Sequence, residues 1–261
     1  MDQAMKLSLY QLAAAYVFIL ILLIIVRVRK MGHEKEIVLA TVRMTLQLVA
    51  IGYLLSYIFQ QNNYLFTLAV ILVMEGFAVY NIYQRVDGWI NKKLKLVIAI
   101  SMVSGTLISI FFFLIVVIGL EPWYYSRYFI PISGMLIGNS MTGISLGVQR
   151  LITGIENNKD EIEAALMLGV TPKRATKKIV NKAFSSAILP TINAMMGMGI
   201  VFLPGMMTGQ ILSGEAPLSA IRYQIAIMMG ISGSVSLTIV IFIYLGYKTF
   251  FNERAQLNSE D

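Results

Sequence analysis

The sequence predicts an all-α, polytopic integral membrane protein with about seven transmembrane helices, an outside N-terminus and a cytoplasmic C-terminus. Of its 261 residues, 57% are hydrophobic and 13% are charged, and the mean hydropathy is +0.72. A soluble domain carries roughly 25% charged residues. Long uncharged segments recur along the chain, and the basic residues concentrate between them. Together these three observations indicate that a lipid bilayer surrounds most of the fold.

The predicted spans have the length that a bilayer requires. A helix needs about 20 predominantly apolar residues to cross the hydrocarbon core. The first span is expected to be retained, because its apolar run is too long for a signal peptide and no small-residue cleavage site follows. The predicted spans are 7–26, 37–59, 64–84, 96–119, 130–149, 186–206 and 220–246.

The basic residues set the predicted orientation. With the N-terminus outside, the loops 27–36, 85–95 and 150–185 and the C-terminal tail are cytoplasmic, and they hold most of the 21 basic residues. Cytoplasmic loops of membrane proteins carry such an excess of lysine and arginine. Topology therefore explains the formal charge of +7, and no nucleic-acid partner is predicted.

The sixth predicted span carries signals for a broken or bent helix. Pro190, Pro204 and the glycines around Met198 interrupt its apolar run. Broken helices occur in transporters where the transport path uses free backbone carbonyls.

Several kinds of chemistry are excluded by composition. The chain has no cysteine and only one histidine, His33, which excludes disulfides, thiolate metal sites and His-rich metal sites. It also lacks the Gly-x-x-x-x-Gly-Lys-Ser/Thr motif that cradles nucleotide phosphates. We therefore do not expect an enzyme, and no metal ligands are assigned.

The longest polar stretch, at about 156–182, predicts a helix–turn–helix at the membrane surface. Acidic residues come early in it and basic residues late, as the helix dipole favours. Gly169 provides a helix stop, and Pro172 provides a restart.

This stretch resembles the coupling segment of ABC-transporter permeases, which docks on a cytoplasmic ATPase. The EAA-x-x-x-G pattern of that family is matched by Glu163, Ala164, Ala165 and Gly169. Ile179 also stands at the expected offset, but the Leu-Pro pair that should follow comes eight residues late. The match to importer-type permeases is therefore partial.

Five strings of the sequence are unusual, and they lie at 43–48, 74–75, 138–141, 163–169 and 202–212. Through these strings the chain as a whole resembles the FetB-type permease family, which comprises bacterial iron-export permeases and plant aluminium-tolerance relatives. This resemblance implies a single permease domain over 1–261 in the plasma membrane, paired in a homodimer, with ATP bound by a separate ATPase subunit and no cofactor on this chain. It implies iron export as the function.

Two alternative functions stay open at this stage. An ABC permease of the same architecture would instead move an organic solute such as a nucleotide sugar. A secondary transporter would need no ATPase, and Glu75 would carry its coupling proton.

Arg43 and Glu75 are charged residues within predicted spans, where a charge is costly unless it is paired or wetted. Their predicted depths from the cytoplasmic side agree, so an ion pair between the second and third spans is one reading. The other reading places Glu75 in a cation path. Gln47 lies one turn beyond Arg43 on the same helix face.

The remaining candidate path residues supply oxygen or thioether donors in or near the fifth and sixth spans. Thioethers suit soft metal ions, but they also serve as adaptable packing groups. Polar groups in spans often bond only their neighbours. These candidates are Asn139, Ser140, Asn193, Met196, Met198, Met206, Met207 and Gln210.

Overall fold

A computed structural model describes residues 8–61, 63–86 and 91–258. Every regular element in these ranges is helical, and the extended pairing in them is limited to two isolated bridges. The predicted all-α class is confirmed. The chain divides into two compact units, residues 1–61 with 212–214 and residues 62–211 with 215–261.

The first unit is built from helices α1 (Leu9–Ala15), α2 (Val17–Val28) and α3 (Glu34–Gln61). The helices α2 and α3 form an antiparallel hairpin, in which the Tyr16 hydroxyl lies 2.6 Å from Thr45 Oγ1. Almost every side chain of this unit is exposed or half-buried. Its apolar surface is therefore available to lipid or to a second chain.

The second unit holds the remaining helices and nearly all of the buried core residues. The helix α5 continues into one π-helical segment, and α11 continues into a 3-10 turn. The bounds are α4 (Tyr64–Arg85), α5 (Lys92–Phe111), the π-helical segment (Phe112–Val117), α6 (Ser126–Glu156), α7 (Lys159–Met167), α8 (Pro172–Ala175), α9 (Lys177–Gly197), α10 (Gly205–Leu212), α11 (Pro217–Gly246) and the 3-10 turn (Tyr247–Phe250).

The core of the second unit lies around α6, which packs against α4, α5, α9 and α11. Two glycines of α6 allow close helix approach. A Cβ atom added to Gly147 would clash with Ile239 Cδ1, and one added to Gly143 would lie 2.8 Å from Val235 Cγ1. Small residues at such contacts are typical of helices packed within a membrane.

Six of the predicted spans correspond to continuous helices that are long and apolar enough to cross a bilayer. Their number and the orientation of both termini stay predictions. Leu7, which begins the first predicted span, lies outside the described residues. The helical stretches are Leu9–Val28, Glu34–Gln61, Tyr64–Arg85, Lys92–Val117, Ser126–Glu156 and Pro217–Phe250.

The sixth predicted span, 186–206, is not one continuous helix. The helix α9 ends at Gly197, and the next helix starts only at Gly205. Gly199 adopts a φ of +85° in the interruption, and Pro204 directly precedes α10. The predicted break is thus confirmed, although Pro190 lies inside α9 and does not end it.

Contacts within the second unit identify its two ends. At one end, Asn91 Nδ2 donates to the Thr249 carbonyl at 3.1 Å, which joins the start of α5 to the C-terminal segment. At the other end, Thr67 Oγ1 donates to the Tyr124 carbonyl at 3.2 Å. The basic start of α5 and the basic C-terminal segment therefore share one end, as the predicted topology requires.

Candidate functional site

The segment between α6 and α9 forms a helical hairpin, here called the α7–α8 hairpin and comprising residues 159–175. Gly169 adopts a φ of +80° and donates from its N–H to the Leu166 carbonyl at 2.9 Å. The Val170 N–H donates to the Ala165 carbonyl at 3.0 Å. This is a Schellman motif, which closes α7 with a left-handed residue. Pro172 then begins α8, so the predicted helix–turn–helix is confirmed.

The tip of the hairpin is apolar. Met167 and Leu168 are each 85% exposed, and Ala164 is exposed on the preceding turn. This tip lies outside every helix long enough to span a bilayer. Exposed apolar groups in such a position mark a surface for a partner. Met167 and Leu168 were not singled out from the sequence, since the EAA-x-x-x-G pattern leaves their positions unspecified.

The hairpin also borders a cavity of about 610 Å³ shared with the C-terminal segment. Glu163 and Gly169 line it from the hairpin, and Arg254 and Leu257 line it from the C-terminal side. The Asn258 N–H donates to the Phe250 carbonyl at 2.9 Å and folds this segment back. Four residues predicted for coupling thus lie together on the hairpin or its cavity: Glu163, Ala164, Ala165 and Gly169.

A second polar site lies inside the helical bundle. Glu75 of α4 is only 3% exposed, and the Thr106 hydroxyl of α5 donates a hydrogen bond to its Oε1. Its other oxygen, Oε2, has no hydrogen-bond partner among the described residues. A buried carboxylate oxygen without a partner is costly, so its position calls for a functional explanation.

In the same core, hydroxyl groups lie where neighbouring helices pack against each other. Ser140 Oγ of α6 lies 2.8 Å from Ser234 Oγ of α11, and both residues are buried. Thr238 donates to the Ser234 carbonyl at 2.6 Å. A Cβ atom added to Gly105, the residue before Thr106, would lie 2.7 Å from Thr238 Cα. We call Glu75, Thr106, Thr238, Ser234 and Ser140 the buried polar row.

Three members of the buried polar row were missed by sequence reasoning: Thr106, Ser234 and Thr238. Each stands in an apolar helix where a single hydroxyl is common and gives no local signal. The one local signal was the position of Thr106 directly after Gly105, a glycine that permits close approach to α11.

Asn139 and Asn193, two other predicted path residues of the second unit, do not belong to this row. Asn139 is exposed and donates to the Met135 carbonyl at 2.8 Å, while its neighbour Ser140 points into the core. Asn193 is exposed on α9. Arg43 and Gln47 are exposed on α3, in the first unit. The ion pair between Arg43 and Glu75 stays a prediction.

The methionines near the break in the sixth span are used in different ways. The Met198 sulfur accepts a hydrogen bond from Gln224 Nε2 at 3.8 Å, which links the break to α11. Met196 is 76% exposed, whereas Met207 on α10 is buried. Met206 and Gln210 are half-buried on α10. These roles include packing and hydrogen bonding, as expected for adaptable thioethers.

A metal centre built from several ionisable ligands is not present in the described residues. No group of three or more histidine, cysteine, aspartate or glutamate side chains lies close enough there to hold a metal ion. The metal ligands of this chain therefore stay unassigned.

The fold and these two sites define a multi-pass α-helical membrane protein with a helical hairpin outside its spans. The chain belongs to the family described as "Uncharacterised protein family (UPF0014)", which matches residues 9–251. This assignment confirms the resemblance drawn from the sequence.

Relatives support the assignment over nearly the full length. The UPF0014 membrane protein YjkA of Bacillus subtilis is 37% identical over 96% of this chain and 98% of its own. The Arabidopsis thaliana protein ALUMINUM SENSITIVE 3 is 34% identical over 95% and 89%. The probable iron export permease protein FetB of Escherichia coli is 32% identical over 94% and 93%. No solved structure matches this chain.

Proposed function

We propose that this chain is the membrane-spanning permease subunit of an ABC-type exporter, which a separate cytoplasmic ATPase drives. The observation that carries the proposal is the α7–α8 hairpin, whose apolar tip is presented outside the spans by Met167 and Leu168. A helix that offers an apolar face to a groove is a common mode of protein recognition. The ATPase would push on this hairpin and, through α6 and α9, on the bundle.

The link from the hairpin to the bundle is short. The helix α7 follows α6 after two residues, and α8 leads into α9 after one residue. Ile162 of α7 is 2% exposed and belongs to the same hydrophobic core as Ile155 of α6 and Ile179 of α9. A displacement of the hairpin would therefore move the ends of two long helices, because close-packed interiors transmit strain.

The proposed substrate is a metal ion, and iron is the first choice because the relative in Escherichia coli is named as a probable iron export permease. The buried polar row offers a carboxylate and several hydroxyl oxygens, which suit hard cations. A pathway would need a second permease copy, since one copy contributes only half of it. The exposed apolar face of α3 is available for such a copy or for lipid.

The ATPase interaction is tested by replacing the hairpin tip with Met167→Ser and Leu168→Ser together. Both side chains are 85% exposed, so folding should be unchanged while binding of the cognate ATPase, measured in nanodiscs, should weaken at least tenfold. The matched control is Ile200→Ser with Val201→Ser, since these residues are 91% and 81% exposed beyond the end of α9. Unchanged binding and transport in the tip variant would refute the proposal.

The substrate is tested separately by efflux from proteoliposomes that contain the chain with its ATPase. ATP-dependent loss of Fe²⁺ is expected, with no ATP-dependent movement of a labelled nucleotide sugar. The opposite result would favour the organic-solute alternative. Transport that follows a proton gradient without the ATPase would instead favour a secondary transporter.

A further inference from the structure

A cleft of about 510 Å³ lies at the basic end of the second unit. Its walls come from the end of α6, the inner face of α7, and the helices α8 and α9. The apolar tip residues of the α7–α8 hairpin, Met167 and Leu168, do not line this cleft. Four basic side chains line the cleft: Arg150, Arg174, Lys178 and Lys182.

The charge of this cleft is not compensated from within the chain. None of the four basic side chains has an ion-pair partner among residues 8–61, 63–86 and 91–258. Glu161 is the single acidic residue in the lining. Basic side chains that line one concave surface raise the local concentration of anions, because their electric fields add. Asn157 and Asn158 add amide groups to the same wall.

The position of the cleft relative to the ends of the predicted spans indicates the source of its anion. The fifth predicted span ends at residue 149, directly before Arg150, and the sixth begins at 186, shortly after Lys182. The cleft thus lies at the level of the lipid headgroups on the predicted cytoplasmic side. Anionic phospholipids concentrate in this layer, and each basic residue there contributes about 1 kcal/mol of attraction.

We propose that the cleft is a binding site for a phosphate-bearing anion, supplied by the headgroup of an anionic phospholipid. The lysine pair on α9 is well placed for this role, because Lys178 and Lys182 are one helical turn apart and face the same cleft. Arginine offers planar, bidentate hydrogen bonding to phosphate oxygens, which Arg150 and Arg174 supply from the other walls. The occupied site would tie the base of the hairpin to the membrane surface.

The test compares two double variants of the full chain. Lys178→Gln with Lys182→Gln removes two charges from the cleft lining, whereas Lys173→Gln with Lys177→Gln removes two charges from the same segment outside the lining; all four side chains are exposed. Native mass spectrometry in detergent measures the binding of phosphatidylglycerol and of phosphatidylcholine. We expect the wild type and the control to prefer phosphatidylglycerol, and the cleft variant to bind it about 30-fold more weakly.

Further measurements identify the source of the anion and control for misfolding of the variants. Competition by millimolar inorganic phosphate would assign the same site to a soluble phosphate, whereas lack of competition supports the headgroup. The charge-preserving variant Lys178→Arg with Lys182→Arg should retain binding, and high salt should weaken it in the wild type. Equal loss in both glutamine variants, or no preference for phosphatidylglycerol, would overturn the proposal.

Discussion

Glu163 and Glu75 show how differently the two polar sites of this protein are built. Glu163 is half-buried on a hairpin outside the spans, where it borders a cavity open to water. Glu75 is 3% exposed in the bundle, with one oxygen bonded to Thr106 and the other without a partner in the described chain. A carboxylate in water is inexpensive, whereas a buried one must be satisfied or used. A charged side chain is therefore inexpensive on the hairpin and costly in the buried polar row.

The largest expected effect comes from disturbing the helix contact beside the buried polar row. In Gly105→Ala, the new Cβ would lie 2.7 Å from Thr238 Cα, a backbone atom that cannot rotate away. We expect a loss of about 3 kcal/mol in unfolding free energy, seen as a lower Tm in detergent, because the packed helices α5 and α11 must separate. Gly138→Ala is the control, since nothing lies within 4 Å of its added Cβ. Equal Tm values for the two variants would contradict this account of the core.

The comparison of the two glutamates is sharpened by replacing each with leucine. Glu75→Leu removes a buried oxygen that lacks a partner, so unfolding free energy should rise by about 1–3 kcal/mol. Transport should fall at least tenfold, because the carboxylate would be lost from the proposed path. Glu163→Leu should not raise the Tm, since its carboxylate borders open space. If Glu75→Leu lowered the Tm, the carboxylate would instead serve as a structural partner.

The smallest expected effect concerns the left-handed turn of the hairpin. In Gly169→Val, a β-branched residue would have to adopt a φ of +80°, at a cost of about 1–2 kcal/mol. The Tm of the bundle should stay unchanged, whereas ATPase binding should weaken about 5- to 30-fold. Gly169→Asn should bind more strongly than the valine variant, because asparagine tolerates this conformation. Equal binding of all three proteins would show that the turn does not present the docking surface.

Much of the hairpin was predictable because its signals are local. Gly169 and Pro172 stop and restart a helix wherever they stand, so the turn followed from the chain alone. The break of the sixth span was also predicted from Pro204 and the glycines near Met198. Only the structure gives the bounds of the break, with α9 ending at Gly197 and α10 beginning at Gly205, because hydropathy counts apolar residues and does not register a residue such as Gly199 at positive φ.

The buried polar row was only partly predictable. Glu75 was conspicuous because a charge within an apolar run is rare. Asn139 and Ser140 looked equivalent in the sequence, yet the structure exposes Asn139 and buries Ser140 against Ser234. Adjacent residues on a helix point about 100° apart, and only the neighbouring helices decide which direction is the core.

The sequence by itself determined the membrane class, the helical hairpin, the interruption near residue 198 and the family. These properties depend on composition and on short-range steric rules, which act within a few residues. Only the tertiary structure decided that Thr106 bonds Glu75, that Ser140 meets Ser234, and that four uncompensated cations share a cleft. Such contacts join residues far apart in the chain, and their geometry exists only after the helices pack.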